Sequence, residues 1–170
     1  MSAVIRLARV EDAVLLPEVE RSAGALFRTL PELAWIADDA VSADDHLEAI
    51  ADATAWVAEA SAGPIGLLAA EAVGEDLHIW EVAVHADHQG RGVGRALVET
   101  ACAHARATGR GAVTLTTFRD VAWNGPFYAR LGFVMLAPAA QCARLAAILD
   151  AEVAAGLPRA RRCAMRLALT

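Results

Sequence analysis

The sequence predicts an α/β (α+β) fold, a single-domain mixed sheet of about seven strands with flanking helices spanning residues 1–170. Three observations carry that prediction. Short apolar runs alternate with Ala-rich stretches of helical period in the order β-α-α-β-β-β-α-β-α-β-α-β. Three strand-like runs, 56–60, 65–73 and 77–84, follow one another with only turn residues between them. A Gly-rich turn, Gln89-Gly90-Arg91-Gly92-Val93-Gly94, then stands between a strand and a helix, which predicts a parallel crossover on either side of that helix.

Taken in order, 4–7 is a short strand, and Val10, Glu11 and Asp12 lead into a helix carrying Val14, Leu15, Val19, Ala23 and Leu26 near helical spacing. A loop containing Pro31 follows. Asp44 and Asp45 open a second helix with Leu47, Ile50 and Ala51 inward, since negative charge suits a helix start. Ala62-Gly63-Pro64 and Gly74-Glu75-Asp76 turn the three central strands. The helix after the Gly-rich loop carries Val93, Leu97, Ala101 and His104 on one face, and Gly109 and Gly111 end it. A strand over 113–117, a short helix from Pro126 that Gly132 stops, a strand over 133–136, a helix around 145–153 and a strand over 163–169 complete the set.

Composition narrows the function classes. The chain has 170 residues, enough for an ordinary core without disulfides or metals, and 41 alanines account for much of its 56% hydrophobic content. No apolar run is long enough to cross a membrane, and Arg6, Arg9, Glu11 and Asp12 interrupt any signal-peptide core, so a soluble cytoplasmic protein is expected. Cys102, Cys142 and Cys163 fit neither a disulfide framework nor a zinc site. Residues 1–76 hold 15 acids and 4 Arg, net −11, while residues 77–170 hold 6 acids and 11 Arg, net +5. An acidic front half is a poor nucleic-acid surface, and a basic rear half suits a small polyanion. Two solvated faces of opposite sign would give the same numbers.

A Gly-rich turn before a helix exposes unpaired N–H groups at the positive end of the helix dipole, which suits a pyrophosphate. Arg91 and Arg95 add charge beside it. A phosphate-binding P-loop is excluded because the chain has no Lys, and a dinucleotide fold lacks its acid at the following strand, where Thr114 and its neighbours stand instead. The loop is preceded by Val82-Ala83-Val84 and followed by Asn124 and by Tyr128-Ala-Arg-Leu-Gly132-Phe133. This combination resembles the GCN5-related N-acetyltransferase (GNAT) family, most specifically over 77–133 and in element order over the whole chain.

The resemblance implies an acetyl coenzyme A site between two splayed strands, 77–84 and 113–117. Gln89, Gly90, Arg91, Gly92, Val93 and Gly94 would wrap the pyrophosphate with Arg95 nearby. Val82, Ala83 and Val84 would line the pantetheine arm, Asn124 would contact the cofactor, and the Val84 N–H would face the oxyanion. No metal is implied, and His85, Asp87 and His88 lack a ligand pattern. An aliphatic ammonium has a pKa of about 10.4, so the acceptor must lose a proton before attack. Glu81 and His78 are both candidates for that base and lie on opposite strand faces unless a bulge intervenes. Tyr128 matches the general acid that protonates the leaving thiolate; a core tyrosine is the structural alternative.

The expected function is transfer of an acetyl group from acetyl coenzyme A to a primary amine in a ternary complex. A small cationic amine is the favoured acceptor, because Glu32, Asp38, Asp39, Asp44 and Asp45 lie near Phe27, Leu33 and Trp35. Protein N-termini or lysines are alternatives, as is a non-catalytic acyl-CoA-binding module. Trp123 reads as packing. Pro158, Arg159, Arg161 and Arg162 read as a solvated approach to the last strand, or as a contact with the acceptor or with the partner of a homodimer.

Overall fold

A computed structural model of the chain describes residues 3–169; residues 1, 2 and 170 of the predicted domain lie outside the described residues. The elements follow the predicted order: β1 (Val4–Leu7), α1 (Leu16–Gly24), α2 (Ala43–Ala51), β2 (Ala55–Ala60), β3 (Gly63–Val73), β4 (Asp76–Val84), α3 (Val93–Ala107), β5 (Ala112–Phe118), α4 (Gly125–Arg130), β6 (Val134–Met135), α5 (Ala143–Ala154) and β7 (Arg162–Ala168). The strands form one mixed sheet in the order β1-β2-β3-β4-β5-β7-β6. The chain divides into two compact units, one running to Ala72 and resuming over Trp80–His104, the other made of Val73–Ile79 and the residues from Ala105 onward.

In the first unit β1 and β3 flank β2 in antiparallel registers, with a shift between Ala58 and Glu59. Leu16 and Val19 of α1 pack with Val57, Leu67 and Ala83. Arg6 joins Asp12 at 2.7 Å and Glu59 at 2.9 Å, and this partnership holds the Asp12 carboxyl below its usual range. Gly66 leaves room for α3: a Cβ there would lie 3.2 Å from Val93 Cγ1 and 3.3 Å from Leu97 Cδ1. The helix predicted from Val14 starts later. Val10–Asp12 forms a 3₁₀ turn instead, leaving Val14 and Leu15 exposed, and Pro17 occupies the first turn of α1. The Pro31 loop is itself a 3₁₀ turn, Pro31–Ile36, which buries Leu33 completely. On α2, Leu47 and Ile50 are half-buried and Ala51 is exposed, while the residue turned fully inward is His46.

In the second unit β4 and β5 pair in parallel from Asp76–Ala112 to Ile79–Leu115, as expected of a crossover through α3. Beyond it, β7 lies between β5 and the two-residue β6 and runs antiparallel to both, so β5 and β6, joined through α4, run in the same direction. Leu145 and Leu149 of α5 pack on Ala164. The basic run is solvated only in part: exposed Arg159 pairs with Asp150, Arg161 pairs with Asp120, and half-buried Arg162 lies over the Phe118 ring, 4.6 Å from its centroid, with its guanidinium on Glu152 at 2.9 and 3.0 Å. The half-buried Glu152 carboxylate draws Arg162 partly out of solvent.

Candidate active site

The Gly-rich loop leaves β4 through a 3₁₀ turn, Ala86–His88. Gln89 does not extend freely: its side-chain amide donates to the Val84 carbonyl at 2.9 Å and so ties the loop back to the strand end. Gly90 and Gly92 have φ of +71° and +83°, the left-handed region that favours glycine, and a Cβ at either would meet nothing within 4 Å. These glycines therefore serve the path of the chain and leave the outer side of the loop open. The first helical bond of α3 runs from Ala96 N–H to the Gly92 carbonyl at 3.0 Å, so the amides of Gly92, Val93, Gly94 and Arg95 have no partner within the helix. With the helix dipole, four such donors suit an anionic group. Arg91 is exposed beside them, whereas Arg95 leans on Glu99 at 2.7 Å.

Of the two candidate bases, His78 is fully buried in the second unit. Its Nδ1 lies 2.9 Å from Thr114 Oγ1, which also accepts from Arg144 at 3.2 Å. Burial, reinforced by the Arg144 charge, lowers its pKa to about 4, so this imidazole is a weak base shielded from solvent. Glu81 belongs to the first unit. The residue keeps some accessible surface, but protein crowds its carboxyl group. Burial first, and then the Glu20 carboxylate, push its pKa up to about 8, opposed by a hydrogen bond from the Val82 amide.

Val82, Ala83 and Val84 share the first unit with Glu81, whereas Tyr128 and Asn124 lie in the second. Tyr128 is buried on α4, its ring edge-on to Phe127 at 5.0 Å and to Phe133 at 5.7 Å, which fixes the phenol direction. α4 begins tightly: a Cβ on Gly125 would lie 2.7 Å from the Arg119 carbonyl oxygen, so only glycine fits. Asn124, just before it, has a buried Oδ1 with no hydrogen-bond partner in the protein. A buried acceptor left unmatched is costly unless a bound molecule supplies the donor. By themselves, the open amides at α3 suit phosphate oxygens, and the Asn124 acceptor suits an amide or hydroxyl donor.

The family model described as an acetyltransferase (GNAT) domain matches residues 51–135, half of the chain. The chain belongs to the GNAT acetyltransferase family. Membership makes it an acetyl-CoA-dependent N-acetyltransferase. The GNAT fold is shared with PaiA N-acetyltransferase from Thermoplasma acidophilum, solved with coenzyme A, at a TM-score of 0.76 and 16% identity over 99% of this chain and 100% of that one. yncA from Salmonella typhimurium, solved with its cofactor acetyl-CoA, matches at 0.69 and 20% identity over 100% and 95% of the two chains. The ribosomal-protein-S18-alanine N-acetyltransferase of Escherichia coli matches at 0.69 and 15% over 99% and 94%. At these identities the likeness speaks to the fold. No helix among the described residues of this GNAT chain is long and apolar enough to cross a membrane.

Sequence reasoning missed Glu20 and His46. They meet in the interior of the first unit, Glu20 Oε1 lying 2.6 Å from His46 Nε2. The signal was present: Glu20 lies four residues after the inward Leu16 and so shares its helix face.

Proposed function

We propose that residues 1–170 act as one cytoplasmic N-acetyltransferase domain that acetylates a primary amine by direct attack in a ternary complex, with a small cationic amine as acceptor. Acetyl-CoA supplies the thioester-activated acetyl group. Gly90 to Arg95 hold its pyrophosphate through backbone amides, Val82 to Val84 offer backbone bonds to the pantetheine arm, and Asn124 offers its unmatched Oδ1 as an acceptor. The Val84 N–H is assigned to the oxyanion. Three free cysteines are consistent with a reducing compartment.

The observation that supports this reading most strongly is the Glu81 carboxyl. Taking a proton from an ammonium of pKa about 10.4 onto an ordinary carboxyl is uphill by about 6 pK units, roughly 8 kcal/mol. With Glu81 raised to about 8 the gap shrinks to about 2.4 units, roughly 3 kcal/mol. The cost is that only about a tenth of Glu81 is ionised at pH 7, a tenfold loss that the stronger base outweighs. His78, with a pKa near 4 and no exposed surface, lacks both advantages. Tyr128 then returns a proton to the departing thiolate.

The acceptor reading changes in one respect. Leu33 is buried and takes no part, but Trp35 is 52% exposed, Phe27 is half-buried, and Glu32, Asp38 and Asp39 are exposed in the same stretch. The test is thiol release from acetyl-CoA with a panel of small amines, amino acids and peptides. The highest kcat/KM is expected for a cationic small amine; a peptide N-terminus as best substrate would replace that acceptor. Coenzyme A binding with no thiol release for any amine would leave only a binding module.

A further inference from the structure

α1 buries three residues, Leu16, Val19 and Glu20. One oxygen of Glu20, Oε2, accepts the Val41 N–H at 2.5 Å, while Oε1 lies 2.6 Å from His46 Nε2 on α2, a close approach without hydrogen-bond geometry. The two side chains are 4% and 2% exposed. Swapping such a buried pair for apolar side chains of similar volume is often neutral or stabilising, so stability alone does not account for it. Its location does. Leu16 and Val19 pack with Ala83 of β4, and strand alternation puts Glu81 on the same face as Ala83. The Ser22 hydroxyl, two residues beyond Glu20, accepts the Ala86 N–H at 3.0 Å and anchors α1 to the end of the same strand.

We propose that Glu20, held by the Val41 amide with His46 packed against it, is a positioning residue for Glu81: its negative charge keeps on Glu81 the proton taken from the acceptor ammonium. The inference rests on the reading of Glu81 as the base. Two groups act directly on the Glu81 carboxyl, the Glu20 charge from α1 and the Val82 amide from its own strand, and His46 acts through Glu20. The proton leaves the ammonium nitrogen for a Glu81 oxygen, the nitrogen lone pair forms a bond to the acetyl carbonyl carbon, and the C–S bond breaks as coenzyme A leaves as a thiolate, which takes its proton from Tyr128.

The test is carbon-13 NMR of Glu-labelled protein, with Glu81 assigned from Glu81→Gln, alongside the pH dependence of kcat/KM. Glu20→Gln is expected to move the Glu81 midpoint, and the acidic limb of kcat/KM with it, down by about one pH unit or more. His46→Phe should do the same, because Glu20 then loses the imidazole nitrogen 2.6 Å from its Oε1. His46→Gln, which still offers a donor, should stay near the wild-type midpoint. A Glu81 midpoint unmoved in Glu20→Gln overturns the proposal. Should that variant not fold, equal midpoints in His46→Phe and His46→Gln overturn it as well. A shifted midpoint with an unmoved kinetic limb upholds the coupling of Glu20 to Glu81 and overturns Glu81 as the base.

Discussion

Replacing Glu81 by Gln is expected to stabilise the protein, increasingly so as pH rises. Its carboxyl has a pKa of about 8 in the folded chain against an ordinary 4.5, because burial and Glu20 disfavour the charged form. The unfolded chain releases this proton near pH 4.5 and the folded chain only near 8, so between those values the folded state binds more protons. Stability from this group therefore falls as pH rises through that window and levels off above it. At pH 7 the unfolded chain has gained about 2.5 pK units from ionisation that the folded chain forgoes, an upper figure of about 3 kcal/mol. Glu81→Gln has no such proton, so its stability advantage should grow from near zero at pH 4.5 to about 3 kcal/mol at pH 7, or roughly 6–12 °C in Tm for a chain of this size. Urea unfolding of both proteins at several pH values measures the difference, given two-state transitions. Parallel stability curves from pH 4.5 to 8 would show that Glu81 titrates as an ordinary surface carboxyl, and the argument for its strength as a base would fall with them.

Gly92→Asp is expected to weaken coenzyme A binding strongly, since it forces a side chain into a left-handed position and puts negative charge beside the four open amides that are proposed to receive phosphate; unchanged affinity by calorimetry would refute the loop assignment. Tyr128→Phe should lower kcat by roughly 10²–10⁴ with coenzyme A affinity intact, and a near-wild-type single-turnover rate would show the hydroxyl to be structural. Gly125→Ala should cost about 1–3 kcal/mol by chemical denaturation, because its Cβ would press on the Arg119 carbonyl oxygen at 2.7 Å. For a cationic acceptor drawn by exposed Glu32, Asp38 and Asp39, kcat/KM should fall as salt rises, screening being effective beyond about 8 Å at physiological ionic strength; a flat response would remove that attraction.

The order of elements and the loop were legible because both rest on local chemistry. Alternation, glycines at turns and a Gly-rich stretch before a helix act over a few residues, and β4, α3 and β5 lie close to where those signals put them. The start of α1 was misread because Val14 and Leu15 fit a helical stripe, although they follow a 3₁₀ turn, Val10–Asp12, and stay exposed before the helix begins. Pattern cannot tell an apolar residue that packs from one that the fold leaves outside. The direction of β7 was equally out of reach, since it depends on a pairing with β5 across more than forty residues of chain.

The choice between Glu81 and His78 shows where residue type stops being informative. On type alone the imidazole is the better base at neutral pH, with an ordinary pKa near 6.5 against 4.5. The fold reverses that order, because burial disfavours whichever form is charged: it weakens a cationic acid's conjugate base and strengthens a carboxylate. The same burial therefore drives His78 down to about 4 and Glu81 up to about 8. Glu20 adds to the second effect from a helix whose inward face reads as apolar, and the His46 packed against it belongs to another helix. Neither residue carries a motif. Their meaning lies in two packed helices that bring a paired carboxylate to the strand face that carries Glu81, and the titration of Glu81 in Glu20→Gln reads that arrangement directly.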